Sequence, residues 1–135
     1  RGDVAAEHGI ENIVRVMGYV PYEQCLAEMN GADVLLLFNI NQPLQVPAKF
    51  YEYIGLRKKV LCVSTGGFTD ELIAETKIGL SVHPNDLEGI KNAIRALIAL
   101  PLPAGDSDAI DRFKTSSIFS RLAVQLEAFM ESLRP

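Results

Sequence analysis

Lys49 and Glu52, in the stretch "VPAKFYEYIG" (residues 46–55), have the types and spacing to hold two parts of one ligand. Pro47 suits the first position of a helix, because its ring presets φ and its missing N–H would be unpaired there anyway. Lys49 then falls in the first turn, where the helix dipole is positive and a cation costs about 0.3–1 kcal/mol. A bound anion would more than offset that cost. Glu52, one turn deeper, is unsuited to phosphate, but a carboxylate accepts both hydroxyls of a vicinal diol such as ribose. Together the two describe half of a nucleotide site, with diphosphate at the helix tip and ribose on the glutamate. The same spacing also fits an exposed i,i+3 ion pair worth about 0.2–0.5 kcal/mol. Spacing leaves both readings open.

A second helix start lies at "TGGFTDEL", where the Gly66-Gly67 turn offers backbone N–H groups to phosphate. Such turns are also glycine-rich for purely steric reasons.

The elements that would position these groups alternate along the chain. Residues 12–20, "NIVRVMGYV", carry β-branched side chains at period two and read as a strand. "PYEQCLAEMNGA" reads as a helix entered at Pro21, with Cys25, Leu26 and Met29 inward and Gly31 as its stop. "DVLLLFNI" is a short apolar run of the kind buried on both faces of a sheet. The loop "NQPLQV" follows, then the Pro47 helix ending near Gly55, then "KVLCVS" as another buried strand. Thr69 is the expected N-cap of the next helix, with Asp70 and Glu71 in its first turn. "GLSVH" makes a fourth strand. Asp86 caps a helix whose apolar stripe is Leu87, Ile90, Ala93, Ile94, Leu97 and Ile98. A Pro/Gly loop at 101–108 leads to an amphipathic C-terminal helix with Ile118, Leu122, Val124, Leu126, Phe129 and Met130 mostly to one side.

The expected fold is therefore α/β, a Rossmann-like parallel sheet of about four strands with helices on both faces and a long C-terminal helix. Ligands of such sheets bind beyond the carboxyl ends of the strands, which is where the Lys49 and Thr69 helices begin.

The bulk numbers narrow the function. At 135 residues the chain holds one domain with a real core, spanning 1–135. A net charge of −4 argues against a nucleic-acid partner, and the one basic run, Arg57 to Lys59, reads as a solvated loop. No apolar run approaches the roughly 20 residues of a membrane span, and no signal peptide is visible. Cys25 and Cys62 are isolated and read as reduced core thiols, which suits a cytoplasmic protein. His8 and His83 stand alone, so neither a metal nor a cofactor is expected. The chain starts at Arg1 without a methionine, and the expectation is a piece of a longer protein.

The order of segments, a strand ending in Gly, a helix before "ADV", a Glu-bearing helix, a "GG…EL" turn and then "GL.V…D.E…AI", resembles the carboxy-terminal domain of GT-B fold, family-four-type retaining glycosyltransferases. The resemblance runs from about Asn12 to Leu97, and the closing helix fits a domain-crossing C-terminal helix. It implies a donor nucleotide-diphosphate sugar bound against this domain and transferred to a glycan or lipid-linked acceptor. Glu52 would hold the ribose as the second acid of an E-x7-E pattern. Gly18, Tyr19 and Val20 would line the base, and the helix entry at Pro47 and Ala48 would approach the diphosphate and sugar.

Two departures stand out. Leu44 occupies the place of the first acid, and the usual Gly-x-Pro-Val entry to the third strand reads "LRKKV". The acceptor-binding half with the catalytic residues is expected outside this chain, so the isolated domain should be inactive, with an apolar former interface that could self-associate. Polysaccharide biosynthesis at the inner face of a membrane, through peripheral association of the longer enzyme, is the corresponding cellular expectation. A nucleotide-sugar 2-epimerase and a non-enzymatic flavodoxin-like regulatory domain stay open as alternatives.

Overall fold

The structure, a computed structural model, describes residues 4–114 and 126–134. Its elements are α1 (Val4–Glu7), α2 (Tyr22–Gly31), β1 (Leu35–Asn39), α3 (Ala48–Leu56), β2 (Val60–Ser64), α4 (Phe68–Thr76), β3 (Gly79–Val82), α5 (Leu87–Ala99) and α6 (Ser107–Lys114). Residues 126–132 are also helical.

The three strands form one parallel sheet in the order β1-β2-β3, with Leu35 opposite Val60 and Val60 opposite Gly79. The fold class is the expected Rossmann-like α/β arrangement. Strand alternation sends Leu35, Leu37, Val60 and Cys62 to one face, where they pack with Leu26 and Met29 of α2, Phe50 and Ile54 of α3, and Leu72 and Ile73 of α4. The other face is thinner. Leu61 packs there against Ala93 and Leu97 of α5. The expected α5 stripe is accordingly half used, with Leu87, Ile94 and Ile98 exposed.

Several expectations are corrected. Residues 12–20 are not a strand, and Ile13, Val16 and Tyr19 are largely exposed. A strand needs a neighbour, and none among the described residues lies beside this segment. The observed order matches the last three places of the classic 3-2-1-4-5-6 arrangement, in which the preceding strand in sequence lies at the far edge. Among the described residues β1 is an edge strand. Its inward residues are buried, but Leu36 and Phe38 on the α5 face are exposed rather than covered.

The ends of elements shifted too. Pro47 is the N-cap of α3, not its first residue. Helix α3 runs through Gly55 to Leu56, and Gly55 is buried where an added Cβ would strike the Leu126 side chain. The stop is Arg57, in the left-handed region at φ 54°, where glycine is the usual residue.

Arg57, Lys58 and Lys59 are not a solvated loop. Lys58 and Lys59 are buried; Lys58 Nζ donates to Asn30 O (2.9 Å) at the end of α2, and Lys59 Nζ donates to Ile98 O (3.2 Å) and Leu100 O (2.6 Å) at the end of α5. Arg57 donates to Ala104 O (2.5 Å) and Gly105 O (3.0 Å). Each cation satisfies carbonyls that a helix end or turn leaves unpaired. The loop expected at 101–108 gives way to α6 from Ser107 onward. Of the expected C-terminal helix, residues 115–125 lie outside the described residues; Leu126 is buried against the core.

Candidate functional site

Helix α3 enters at the carboxyl end of β1 with an open tip. Pro47 caps it without a side-chain hydrogen bond, and no acid lies in its first turn. Lys49 is exposed in that turn and Glu52 is half-buried one turn on. Among the described residues Lys49 makes no ion pair. The i,i+3 pairs that form are Lys91–Glu88 (3.6 Å) and Arg134–Glu131 (3.3 Å), both between exposed side chains. The geometric opportunity for a Lys49–Glu52 pair exists and is not taken.

Glu52 acts on a residue of another element. Burial first, then interaction with the nearby Glu52 carboxylate, pushes the hydroxyl of Tyr22, the first residue of α2, up to about 12. Tyr53 is also raised, first by burial and then by Glu52, and its hydroxyl donates to Leu36 O (2.9 Å). Two tyrosines on different elements thus sense one carboxylate.

Tyr22 is the residue that sequence reading missed. Its proximity to Glu52 spans thirty positions of chain and depends on α2 and α3 sharing one sheet face, which no local pattern encodes. Beside it lies a cavity of about 500 Å³ lined by Tyr22, Glu23, Leu26, Ala128, Phe129 and Ser132.

The other expected site residues are placed as follows. Gly18 (φ 68°), Tyr19 and Val20 form an irregular approach to Pro21, with Tyr19 93% exposed and Val20 half-buried. Ala48 is exposed at the α3 tip. Leu44 is 88% exposed in the loop before it.

Gly66 and Gly67 are half-buried, and the turn they make is stitched to that loop. Gly66 N donates to Ser64 Oγ (2.9 Å), Phe68 N to Pro43 O (2.7 Å), Asn41 N to Thr65 Oγ1 (2.8 Å), and Thr69 Oγ1 to Gln45 O (2.8 Å). A Cβ on Gly67, whose φ is 135°, would collide with Pro43. The N-cap of α4 is Gly67, while Thr69 sits fully buried inside the first turn and spends its hydroxyl on the loop, not on the helix. The α4 tip therefore uses the Phe68 N–H and the Thr69 hydroxyl to fix residues 40–46, and that loop leads into α3. The α3 tip is the more open of the two.

A buried polar seam backs the turn. Asn39 Nδ2 donates to Ser64 Oγ (3.5 Å), which donates to Asp70 Oδ1 (2.5 Å), while Asn39 Oδ1 has no partner among the described residues. Cys62 lies nearby; burial first, then the Asp70 charge, push its thiol up to about 11, so it is neutral and unreactive at physiological pH. Among the described residues no three His, Cys, Asp or Glu side chains converge as metal ligands, and no helix is long and apolar enough to cross a membrane.

Compared with known proteins, residues 3–113 match the family model described as glycosyl transferases group 1. No curated protein and no solved structure matches the chain.

Proposed function

The chain belongs to the group 1 glycosyl transferases, whose chemistry is transfer of a glycosyl group, and within that chemistry we propose that it binds the nucleotide-diphosphate sugar donor at the α3 tip. The observation that carries this reading is the separation of Lys49 from Glu52. The ammonium stands without an ion pair, among the described residues, at the positive end of a helix, while the carboxylate lies one turn on, half-buried and close to Tyr22.

An exposed cation in the first turn of a helix, at the positive end of its dipole, is poised for a diphosphate. As the glycosidic bond to phosphate breaks, negative charge builds on the leaving diphosphate. Lys49 and the α3 dipole supply the preorganised positive field that stabilises it. Glu52, half-buried beside Tyr22, has acceptor capacity for the ribose hydroxyls. The acceptor is a glycan or a lipid-linked sugar.

Calorimetric titration of the full chain with a nucleoside, its diphosphate and inorganic diphosphate tests the assignment. Both ends of the site contribute in this reading, so the nucleoside diphosphate binds tightest of the three. Equal affinity for diphosphate and nucleoside diphosphate would remove Glu52 from the site.

A further inference from the structure

The net charge is −4, yet four cations gather at the end of the sheet where the strands begin, with Asp33 before β1 as an acid near Lys58. Arg57, Lys58 and Lys59 lead into β2, and Lys77 leads into β3. None of the four lies within ion-pair distance of a carboxylate among the described residues; the pairs that form involve Arg15, Lys91 and Arg134.

Lys59 and Lys77 line a common cavity of about 460 Å³ with apolar walls from Ile78, Leu100, Pro101 and Pro103. That volume lies within the range of small-molecule sites, roughly 300–1,000 Å³. Lys59 is only 6% exposed, and its ammonium donates to two neutral carbonyls, Ile98 O and Leu100 O. An ammonium carries three donors, so one remains, and among the described residues the buried charge has no ion-pair partner. Lys77 is exposed at the left-handed residue that closes α4 and adds a second cation. The adjoining run "IALPLP", residues 98–103, is exposed throughout, and contiguous exposed apolar surface of this kind marks a binding site.

We propose that this cavity, at the opposite end of the sheet from Glu52, binds an amphiphilic phosphate monoester. The phosphate lies between Lys59 and Lys77, and two cations match a head group that carries nearly two negative charges near neutral pH. The hydrocarbon portion lies along Leu100, Pro101 and Pro103. Asp106 is the one carboxylate among the lining residues and opposes the ligand's charge, which gives the test a variant of each sign.

Octyl phosphate, inorganic phosphate and octanol are titrated calorimetrically into the full chain, with circular dichroism to verify that each variant is folded. Octyl phosphate binds more tightly than either control, Lys77→Glu lowers its affinity about tenfold or more, and Asp106→Asn raises it. Nucleoside diphosphate binding is unchanged in Lys77→Glu. Sedimentation with phosphatidate vesicles, but not phosphatidylcholine vesicles, that is lost in Lys77→Glu identifies the head as a lipid's. Octyl phosphate binding without sedimentation identifies a soluble amphiphile. Absence of octyl phosphate binding, or equal affinity in wild type and Lys77→Glu, overturns the proposal.

Discussion

Tyr22 at the start of α2 and Glu52 of α3, thirty residues apart in sequence, lie close enough for the Glu52 charge to help raise the Tyr22 hydroxyl. Lys49, three residues before Glu52, makes no ion pair with it.

Alkali should weaken this arrangement. Tyr22 has its folded pKa raised from 10.0 to about 12, so its protonated form is favoured by the fold. The stability it contributes is complete below pH 10 and is lost as pH rises toward 12. Thermal melts from pH 8 upward should show Tyr22→Phe to be less pH-sensitive in that window than wild type. Parallel alkaline profiles would show that the fold does not raise the Tyr22 hydroxyl.

Gly67→Ala should damage the site through the loop. The new Cβ meets the Pro43 backbone, and φ 135° is disfavoured for alanine, so a cost of about 1–3 kcal/mol is expected. Because residues 40–46 lead into α3, nucleotide affinity should fall as well. Gly66→Ala, where no atom stands within 4 Å of the added Cβ, should cost less. Urea denaturation of both variants compares them.

The basic run should prove structural. Lys59→Met removes two charge-assisted hydrogen bonds to the end of α5 and should cost about 1.5–3 kcal/mol. Lys91→Met, on the exposed side of α5, should stay within about 0.5 kcal/mol of wild type. Hydrogen exchange should show the loss localised to the last turn of α5.

What could be read from the sequence was local. The parallel α/β class, the Asp86 cap, whose Oδ1 accepts from Gly89 N at 2.9 Å, and the inward Leu26 and Met29 follow from period, capping chemistry and helical spacing. The misses were long-range. Residues 12–20 have the composition of a strand, but pairing depends on a neighbour that composition does not supply. "RKK" looks solvated until α2 and α5 bring their carbonyl ends to it, and Arg57 fills a left-handed position where the resemblance led one to expect glycine. Thr69 has the right type for a cap, yet Gln45 O claims its hydroxyl. Lys49 and Glu52 could be paired on the page because their spacing is short; the proximity of Tyr22 to Glu52 could not, because the two are distant in sequence.

Lys49→Ala separates ligand binding from stability. Removing a cation from the α3 tip should leave the empty protein unchanged or stabilise it by about 0.3–1 kcal/mol. Binding of uridine or guanosine diphosphate should weaken by about 1–3 kcal/mol. Lower stability with unchanged binding would make Lys49 an ordinary surface residue. Melts and calorimetry on one preparation read both quantities.

The most direct test of the donor-site assignment is the ligand-induced thermal shift of Glu52→Gln. Glutamine keeps the shape and an acceptor oxygen but removes the charge that holds the ribose diol. Wild type and variant are melted with and without uridine and guanosine diphosphates at saturating concentration for the wild type. The donor-site reading predicts equal melting of the two proteins without ligand, give or take the Tyr22 interaction, and a shift in wild type that disappears in Glu52→Gln. An equal shift in both proteins would contradict it.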